Sequence, residues 1–334
     1  MAANSPTFPP QSAIEALYNR YDSGDLSGTQ ALSRQLLKDY PEATEVLNML
    51  GVVLNAQGKS EEAIAAYRRA LQLNPAYADV YNNLGIVLYR LGRDDEAVIN
   101  FQHAVLRDPD YADACNNLGV VLQSLGRHGE ALSHLENAVK LQPNSALAAF
   151  NFANSLRAQA RLEEALLSFN RAVKLNPGYC EAFNNCGNLY EDLQRFDEAC
   201  DSYSRAIQIR PDYSLAYSNR GLVQKKLGNY KAALQDFHKT MELDARVASL
   251  TDQDLKFRIQ VNMGDIFMYF RQFEMALAAY DAALEIEPDR KDVIGFKGNA
   301  IAALGRLEEG LQLRQEGFGF IAFDSSEGVS IKHG

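Results

Sequence analysis

The amino-acid sequence predicts an all-α fold, a solenoid in which helix hairpins stack one after another. Three features of a regular repeat carry this prediction. Small residues recur every 34 residues, with one interval of 43 between Gly221 and Gly264. An alanine or glycine follows each of them after twelve residues, and a large side chain usually follows after sixteen. A proline follows most of them after twenty-four residues. The recurring small residues are Gly51, Gly85, Gly119, Ala153, Gly187, Gly221, Gly264 and Gly298.

Within each repeat, the residue types predict a helix A, a short turn and a helix B. Small residues at repeat positions 8 and 20 mark the contact of the two helices, because closely packed helices leave no room for larger side chains there. The large residue at position 24 fills the remaining space. Proline at position 32 ends helix B, since it lacks an amide hydrogen and clashes with the preceding turn. Strings such as Leu91-Gly92-Arg93 provide the turn between helix A and helix B.

This order of residue types over a period of 34 resembles the tetratricopeptide repeat family, from residue 44 to about residue 324. The resemblance implies a right-handed superhelix of helix hairpins with a concave groove. The pattern weakens in the last repeat, where Gly310 and Gly317 replace alanines. Arg314 replaces the large residue in that repeat, and no proline ends it.

The register divides the chain into regions. Residues 1–9 are expected to be disordered, and residues 10–43 to form a degenerate repeat that caps the stack. Six regular repeats span 44–247, an insertion spans 248–256, and two further repeats, the last degenerate, span 257–324. The insertion is expected to lengthen helix A of the seventh repeat. Numbered 1 to 8, the repeats are 44–77, 78–111, 112–145, 146–179, 180–213, 214–247, 257–290 and 291–324.

The tail, residues 318–334, differs from the helical pattern. Apolar residues alternate from Phe318 to Phe323, polar residues and Gly328 follow, and alternation resumes. This pattern predicts a short C-terminal β-hairpin. Capping the end of the stack is its preferred role, and pairing with a second copy or belonging to a further domain are the alternatives.

Composition excludes several classes of function. With 33 basic and 43 acidic residues, the net charge is −10, which opposes nucleic acid as a partner because phosphate binding needs clustered cations. No apolar run is long enough to span a membrane, so we expect a cytoplasmic protein without membrane insertion. The four cysteines form no CxxC pair and are expected to be reduced.

Catalysis is not indicated either. The five histidines show no spacing typical of a metal site, and no Walker loop, GxGxxG or GxSxG motif is present. The repeats occupy nearly all of the sequence and leave no segment long enough for a catalytic domain. We therefore predict a protein that is not an enzyme and has no cofactor and no metal.

Position 6 of helix A carries asparagine in six consecutive repeats. A carboxamide can accept from and donate to a peptide backbone without reading side chains, and helix propensity does not favour asparagine. The row resembles the asparagine ladder of O-linked N-acetylglucosamine transferase repeat domains, which lines the groove of the superhelix. The alternative is that these side chains stabilise the fold. The ladder residues are Asn83, Asn117, Asn151, Asn185, Asn219 and Asn262.

Flanking positions complete the predicted peptide-binding surface. In the family resembled, positions 2, 6, 9 and 13 face the groove. The further predicted binding residues are Asp79, Asp113 and Glu181 at position 2, and Asn154 and Asn188 at position 9. Earlier repeats have the apolar Val52, Ile86 and Val120 at position 9. This favours a ligand with apolar and some basic side chains. Tetratricopeptide domains that clamp a chaperone's C-terminal carboxylate use cations at these positions, so that function is not expected.

The leading prediction is an adaptor or scaffold that binds extended peptide segments of other proteins in the groove. Two alternatives remain open. The chain could present substrates in a protein-glycosylation or other modification system, or it could be a homo-oligomeric assembly platform. The sequence names neither the partner protein nor the pathway.

Overall fold

The structure, a computed structural model, describes the backbone of residues 8–246, 253–324 and 328–332, and the side chains of residues 8–244 and 253–319. These residues form eighteen α-helices and two short strands. The chain divides into two compact parts, an N-terminal body of residues 1–176 and a C-terminal body of residues 177–334. Residues 1–7 of the segment expected to be disordered, and residues 247–252 around the insertion, lie outside the described ranges.

The N-terminal body consists of five helix hairpins in which consecutive helices pack against each other. Its helices are α1 (Gln11–Asp22), α2 (Leu26–Asp39), α3 (Thr44–Ala56), α4 (Ser60–Leu73), α5 (Ala78–Arg90), α6 (Asp94–Arg107), α7 (Ala112–Ser124), α8 (His128–Leu141), α9 (Ala146–Ala158) and α10 (Leu162–Leu175).

The C-terminal body continues the pattern within itself. Its helices are α11 (Cys180–Asp192), α12 (Phe196–Ile209), α13 (Ser214–Lys226), α14 (Tyr230–Arg246), α15 (Gln253–Tyr269), α16 (Phe273–Ile286), α17 (Lys291–Ala303) and α18 (Leu307–Phe318). The prediction of an all-α solenoid of helix hairpins is confirmed. None of the described helices combines the length and the hydrophobicity required to cross a bilayer.

The core of each regular hairpin is a large side chain packed against a small residue. Phe101 of α6 is 1 % exposed, and a Cβ added to Gly85 of α5 would lie 2.7 Å from its ring. The same relation holds between Gly221 of α13 and Phe237 of α14, at 2.8 Å. A larger residue at position 8 would therefore displace a buried ring, which explains the small residue at this position.

The turn between helix A and helix B follows a Schellman motif. Gly92 has a φ of +72°, its amide donates to the Tyr89 carbonyl at 3.0 Å, and the Arg93 amide donates to the Leu88 carbonyl at 2.9 Å. A left-handed residue closes the helix in this way, and glycine adopts that conformation without steric cost. Three repeats instead place Ala160, Gln194 and Arg271 there, with φ between 57° and 59°.

Replacing Gln194 with glycine is expected to stabilise the protein by about 0.5–1 kcal/mol. The left-handed conformation costs a side-chain-bearing residue about 1–2 kcal/mol, and the greater freedom of glycine in the unfolded chain offsets part of the gain. Urea denaturation of the full chain measures the change. The reciprocal control, Gly92→Ala, should destabilise by a similar amount, and equal stability of all three proteins would contradict the expectation.

Helices on both sides of the insertion are longer than their counterparts. Helix α15 has 17 residues where α5 has 13, and α14 has 17 where α4 has 14. The lengthening is thus shared by helix B of repeat 6 and helix A of repeat 7, whereas the sequence led us to expect it in helix A alone. Met263 and Phe267 of α15 are buried and belong to the hydrophobic core of the C-terminal body.

The last repeat packs unusually closely. Helix α18 is continuous to Phe318, whose ring lies 5.6 Å from that of Phe296. A Cβ added to Gly310 would lie 2.6 Å from the backbone nitrogen of Ala302. The glycines that depart from the repeat pattern therefore let α17 and α18 approach backbone to backbone.

Two strands follow α18 in the tail. Strand β1 (Phe320–Asp324) pairs antiparallel with β2 (Gly328–Lys332), with Ala322 opposite Ser330. Residues 325–327, 333 and 334, where the rest of the predicted hairpin falls, lie outside the described part of the chain. The role of this segment, in capping or in pairing with a second copy, remains a prediction.

Candidate functional site

The ladder asparagines lie in the middle of each helix A and are only partly accessible. Asn151 is 9 % exposed, and the other five are half-buried. The sequence predicted that position 6 faces the solvent in the groove, and the hydrogen bonds of these side chains explain why they are only partly accessible.

In the N-terminal body, each ladder asparagine donates to an asparagine of the preceding repeat. Asn83 Nδ2 donates to Asn48 Oδ1 at 3.1 Å, and Asn117 Nδ2 donates to Asn82 Oδ1 at 3.0 Å. The acceptors occupy position 5, so donor and acceptor are 35 residues apart. These bonds connect neighbouring helix A segments side by side.

The third rung of the N-terminal body repeats this geometry. Asn151 Nδ2 donates to Asn116 Oδ1 at 2.9 Å, and Asn116 is itself buried. Since each hydrogen bond between neutral groups stabilises a protein by about 1 kcal/mol, the three rungs contribute to the stacking of repeats 1 to 4.

Among its described residues, the C-terminal body contains one such rung. Asn219 Nδ2 donates to Asn184 Oδ1 at 3.2 Å and to Asn188 Oδ1 at 3.1 Å. The buried Tyr203 hydroxyl also donates to Asn188 Oδ1, at 2.8 Å. Asn188, which was predicted to bind a peptide, is therefore hydrogen-bonded to a core residue of its own hairpin.

The remaining two ladder residues have different partners. Asn185 accepts from Asn184 Nδ2 at 3.5 Å. Asn262 donates to the Arg258 carbonyl at 2.7 Å and accepts from Lys225 Nζ at 2.8 Å. The repeats before these two have Phe150 and Ser218 at position 5, and neither side chain offers a carboxamide oxygen.

The paired asparagines therefore connect neighbouring repeats, a structural role that the pattern at position 6 alone did not predict. A signal was present, because asparagine at position 5 precedes four of the six ladder residues by 35 positions. Each bond uses one of the two amide hydrogens and fixes the orientation of the carboxamide. Within residues 8–176, no described residue donates to Oδ1 of Asn83, Asn117 or Asn151.

The predicted acidic residues fall into two kinds. Asp79 and Asp113 are exposed, near the start of α5 and α7. Glu181 instead forms an ion pair with Arg210 and accepts from Cys180 Sγ at 3.1 Å. Its charge is compensated, so only Asp79 and Asp113 offer uncompensated carboxylates. Asn154 is half-buried and hydrogen-bonded.

Tyrosine hydroxyls accompany the acids of the N-terminal body. The Tyr18 hydroxyl donates to Glu45 Oε1 at 3.2 Å, and burial together with this carboxylate raises the pKa of Tyr18 to about 12. Burial and the neighbouring Asp79 likewise raise the pKa of Tyr111. These phenols stay protonated at neutral pH and can act as hydrogen-bond donors beside the carboxylates.

Apolar side chains flank the first rungs. Val52, Ile86 and Tyr89 are half-buried and pack against the main hydrophobic cluster of the N-terminal body. Val120 is half-buried as well. Carboxamide oxygens, two exposed carboxylates and apolar side chains thus occupy one set of helix A positions, which we call the ladder face.

The cysteine thiols are mostly buried. All four cysteines are free thiols, three of them buried, and burial raises the pKa of Cys186 to about 12. Such a thiol is a poor nucleophile at neutral pH. In the part of the chain that the structure covers, no three His, Cys, Asp or Glu residues gather as a metal site would require.

The stacked hairpins and the repeated ladder face define a helical-repeat scaffold. Profiles described as TPR repeat match residues 51–92 and 192–228, and profiles described as tetratricopeptide repeat match 78–111, 110–177, 215–246 and 261–316. Together these matches cover most of the chain. The chain belongs to the tetratricopeptide repeat family.

Solved structures agree with this assignment. A tetratricopeptide repeat protein from Parabacteroides merdae is 18 % identical, with a TM-score of 0.57 over 76 % of this chain and 98 % of that one. PilF of Pseudomonas aeruginosa is 20 % identical, with a TM-score of 0.56 over 61 % and 93 % of the two chains. YrrB, titled a TPR protein with an unusual peptide-binding site, is 29 % identical over 55 % of this chain and 95 % of its own, with a TM-score of 0.48.

No curated protein matches this sequence. The first two structures show the fold. Tetratricopeptide repeat proteins bind other proteins and are generally non-catalytic interaction modules, which makes a protein-interaction scaffold the general class of function for this chain.

Proposed function

We propose that the chain is an adaptor that binds an extended peptide segment of another protein along the ladder face of the N-terminal body. The observation that carries the proposal is the row of oriented carboxamide oxygens on Asn83, Asn117 and Asn151, held by the bonds between repeats. A side chain that is fixed before binding loses less conformational entropy when the ligand arrives. The oxygens accept from peptide amides, independently of the peptide's side chains.

The neighbouring side chains define what kind of peptide fits. The exposed carboxylates of Asp79 and Asp113 favour lysine or arginine, and Val52, Ile86 and Val120 favour apolar side chains. Three carboxamide contacts supply about 3 kcal/mol, whereas a dissociation constant of 1 μM requires about 8 kcal/mol. Apolar contacts must therefore supply the larger share, so the ligand is an extended segment with both basic and apolar residues.

Two double variants separate binding from repeat packing. Asn83→Ala with Asn117→Ala removes two bonds between repeats and two carboxamides of the ladder face. The control, Asn48→Ala with Asn82→Ala, removes the same two bonds and the long bond from Asn82 Nδ2 to the Tyr111 hydroxyl, at 3.4 Å, but keeps the ladder carboxamides. We expect peptides selected from a random display library by the wild-type chain to bind the first variant about 10- to 30-fold more weakly, as two lost hydrogen bonds imply.

Fluorescence anisotropy of the selected peptides measures this effect, and thermal unfolding checks that both variants lose similar stability. The control should lose less affinity than the first variant, because it loses the fixed orientation of the carboxamides but keeps the carboxamides themselves. Equal losses of affinity in the two variants would show that the ladder acts only through packing of the repeats and would refute the proposal. Selection of peptides without basic residues would refute the predicted ligand class.

A further inference from the structure

A cluster of three aromatic rings lies at the A–B turns of repeats 6 and 7, within the C-terminal body. Tyr230 begins α14, Tyr269 ends α15 and Phe270 follows it. The ring centroid of Tyr269 lies 4.4 Å from that of Tyr230 and 5.4 Å from that of Phe270. Tyr269 is nonetheless 65 % exposed. Large aromatic side chains that stay exposed on a folded protein commonly mark an interaction site.

The rings border an open cavity of about 510 Å³. Besides the rings, its walls include Gln224, Asn229 and Lys231, and none of the lining residues is acidic. The Gln224 carboxamide oxygen is buried without a hydrogen-bond partner among the described atoms. The cavity therefore combines aromatic walls with a few polar side chains.

The two turns that form this cavity also lack an ion pair that other turns have. In five repeats an arginine at position 16 bonds a glutamate at position 19. These pairs are Arg93–Glu96, Arg127–Glu130, Arg161–Glu164, Arg195–Glu198 and Arg306–Glu309. Repeat 6 has Asn229 and Ala232 at these positions, and repeat 7 has Gln272 and Met275.

The residue type at repeat position 13 also differs at this turn of repeat 7. Repeat 7 has Tyr269 there, and every other repeat has a small, polar or charged residue. Those residues are Ala56, Arg90, Ser124, Ala158, Asp192, Lys226 and Ala303. Repeat 7 thus has an exposed aromatic side chain at one of the two turns from which the ion pair is missing.

The charges around the cavity are positive. Lys231 and Arg271 are exposed, and neither forms an ion pair with a described carboxylate, including Glu274 on the next turn. The nearby Lys225 and Lys226 are already paired with carboxylates, at 2.7 and 2.6 Å. One uncompensated cation, Lys231, therefore lines the apolar cavity, and a second, Arg271, directly follows the lining residue Phe270, on a protein whose net charge is −10.

We propose that this surface, the aromatic turn site, binds an acidic peptide segment of another protein, with one aromatic or aliphatic side chain of the segment in the cavity. Tyrosine rings supply large contact area at low entropy cost, and Lys231 and Arg271 attract and orient the acidic residues. Tyr269 lies seven residues, about 10 Å of helix, beyond the ladder residue Asn262. The site rests on its own contacts and does not depend on peptide binding at the ladder face.

The test selects a random dodecapeptide display library against the wild-type full chain and, in parallel, against Tyr269→Ser. Because Tyr269 is mostly exposed, this variant should fold, and circular dichroism checks that it does. We expect peptides that prefer the wild-type chain to be rich in Asp and Glu and to share one aromatic or aliphatic residue. Their affinities, measured by fluorescence anisotropy, should fall at least tenfold in Tyr269→Ser and in the double variant Lys231→Glu, Arg271→Glu.

A matched control lies at the equivalent turn of repeat 3. Leu125 occupies the same repeat position as Phe270 and is equally exposed, at 37 %, but stands beside an intact Arg–Glu pair. Leu125→Ser should leave the affinities unchanged. The affinities for wild type should also fall with added salt, as screened charge attraction requires.

Three results would overturn the proposal. One is a library in which no peptide distinguishes wild type from Tyr269→Ser. Another is selection of peptides without acidic residues. The third is a concentration-dependent increase in mass, seen by sedimentation of the wild type and absent from Tyr269→Ser, which would assign the surface to a second copy of the chain.

Discussion

Replacing Asp236 with alanine is expected to lower the free energy of unfolding by about 3–5 kcal/mol, because it breaks an ion pair whose carboxylate is buried and leaves the half-buried Arg220 without its partner. Arg220 donates to both carboxylate oxygens of Asp236, from Nε at 2.8 Å and from Nη2 at 2.7 Å. Its Nη1 donates to Ser204 Oγ at 2.9 Å. Asp236 is only 5 % exposed and the Arg220 side chain 23 %, so water can replace only part of the lost interaction.

A double variant tests whether the ion pair itself is needed. Arg220 is at position 7 and Asp236 at position 23, where repeat 1 has the apolar pair Leu50 and Ala66, both buried. Arg220→Leu alone leaves Asp236 buried and unpaired, so it should also cost about 3–5 kcal/mol. Arg220→Leu combined with Asp236→Ala should recover most of the loss, since replacing a buried ion pair with apolar residues is often nearly neutral.

Urea denaturation of the full chain, with the wild type and both single variants, gives the coupling energy of the pair. A double variant as unstable as the single variants would contradict this account and indicate that the ion pair specifies the packing of repeat 6. A cost below about 1 kcal/mol for Asp236→Ala would place the pair in the class of exposed surface ion pairs.

Restoring the family's alanine at Gly310 is expected to destabilise the last hairpin by about 2 kcal/mol. Alanine favours the helix by about 1 kcal/mol relative to glycine, so by sequence alone the change should stabilise. In the structure, however, the added Cβ would lie 2.6 Å from the Ala302 nitrogen and 2.7 Å from the Gly298 oxygen. Both are backbone atoms of α17 and cannot rotate away, and overpacking of this kind costs about 1–3 kcal/mol or more.

Hydrogen exchange on the full chain measures the local effect. The most protected amides of α17 and α18 should exchange about 30-fold faster in Gly310→Ala, the factor that corresponds to about 2 kcal/mol. Gly129 provides the matched control, because it lies in α8 with no neighbouring atom within 4 Å of an added Cβ. Gly129→Ala should stabilise slightly, and a stabilising Gly310→Ala would refute the close packing of α17 against α18.

For the ladder asparagines, the sequence predicted the helical face but not the hydrogen-bond partners. Its helical face could be derived from the repeat, because residues 34 apart occupy equivalent places in successive hairpins. The partners of Asn83 and Asn117 could not be derived in this way. The hydrogen bonds join positions 6 and 5 of neighbouring repeats, and they depend on how far one helix A is displaced from the next.

The aromatic turn site shows the same limit. The sequence has several aromatic residues next to Tyr269, but it could not show that the ring centroid of Tyr230, 39 residues earlier, would lie 4.4 Å from that of Tyr269. The sequence also shows that repeats 6 and 7 lack the Arg–Glu pair, but only the structure shows that these two turns form one cavity. Arg220 occupies a position that packs inside the stack, and the sequence alone does not explain an arginine there. Its ion pair with Asp236 in the structure explains it.

The sequence by itself determined the helices, their turns and their pairing into hairpins, because helix formation, turn chemistry and helix-to-helix contact within 34 residues depend on local residue types. The tertiary structure alone decided which polar groups are satisfied by a neighbouring repeat, which charges remain unpaired and how closely α17 and α18 approach. Those outcomes depend on the spacing and rotation between helices, which small differences in packed volume set and which no residue type encodes on its own.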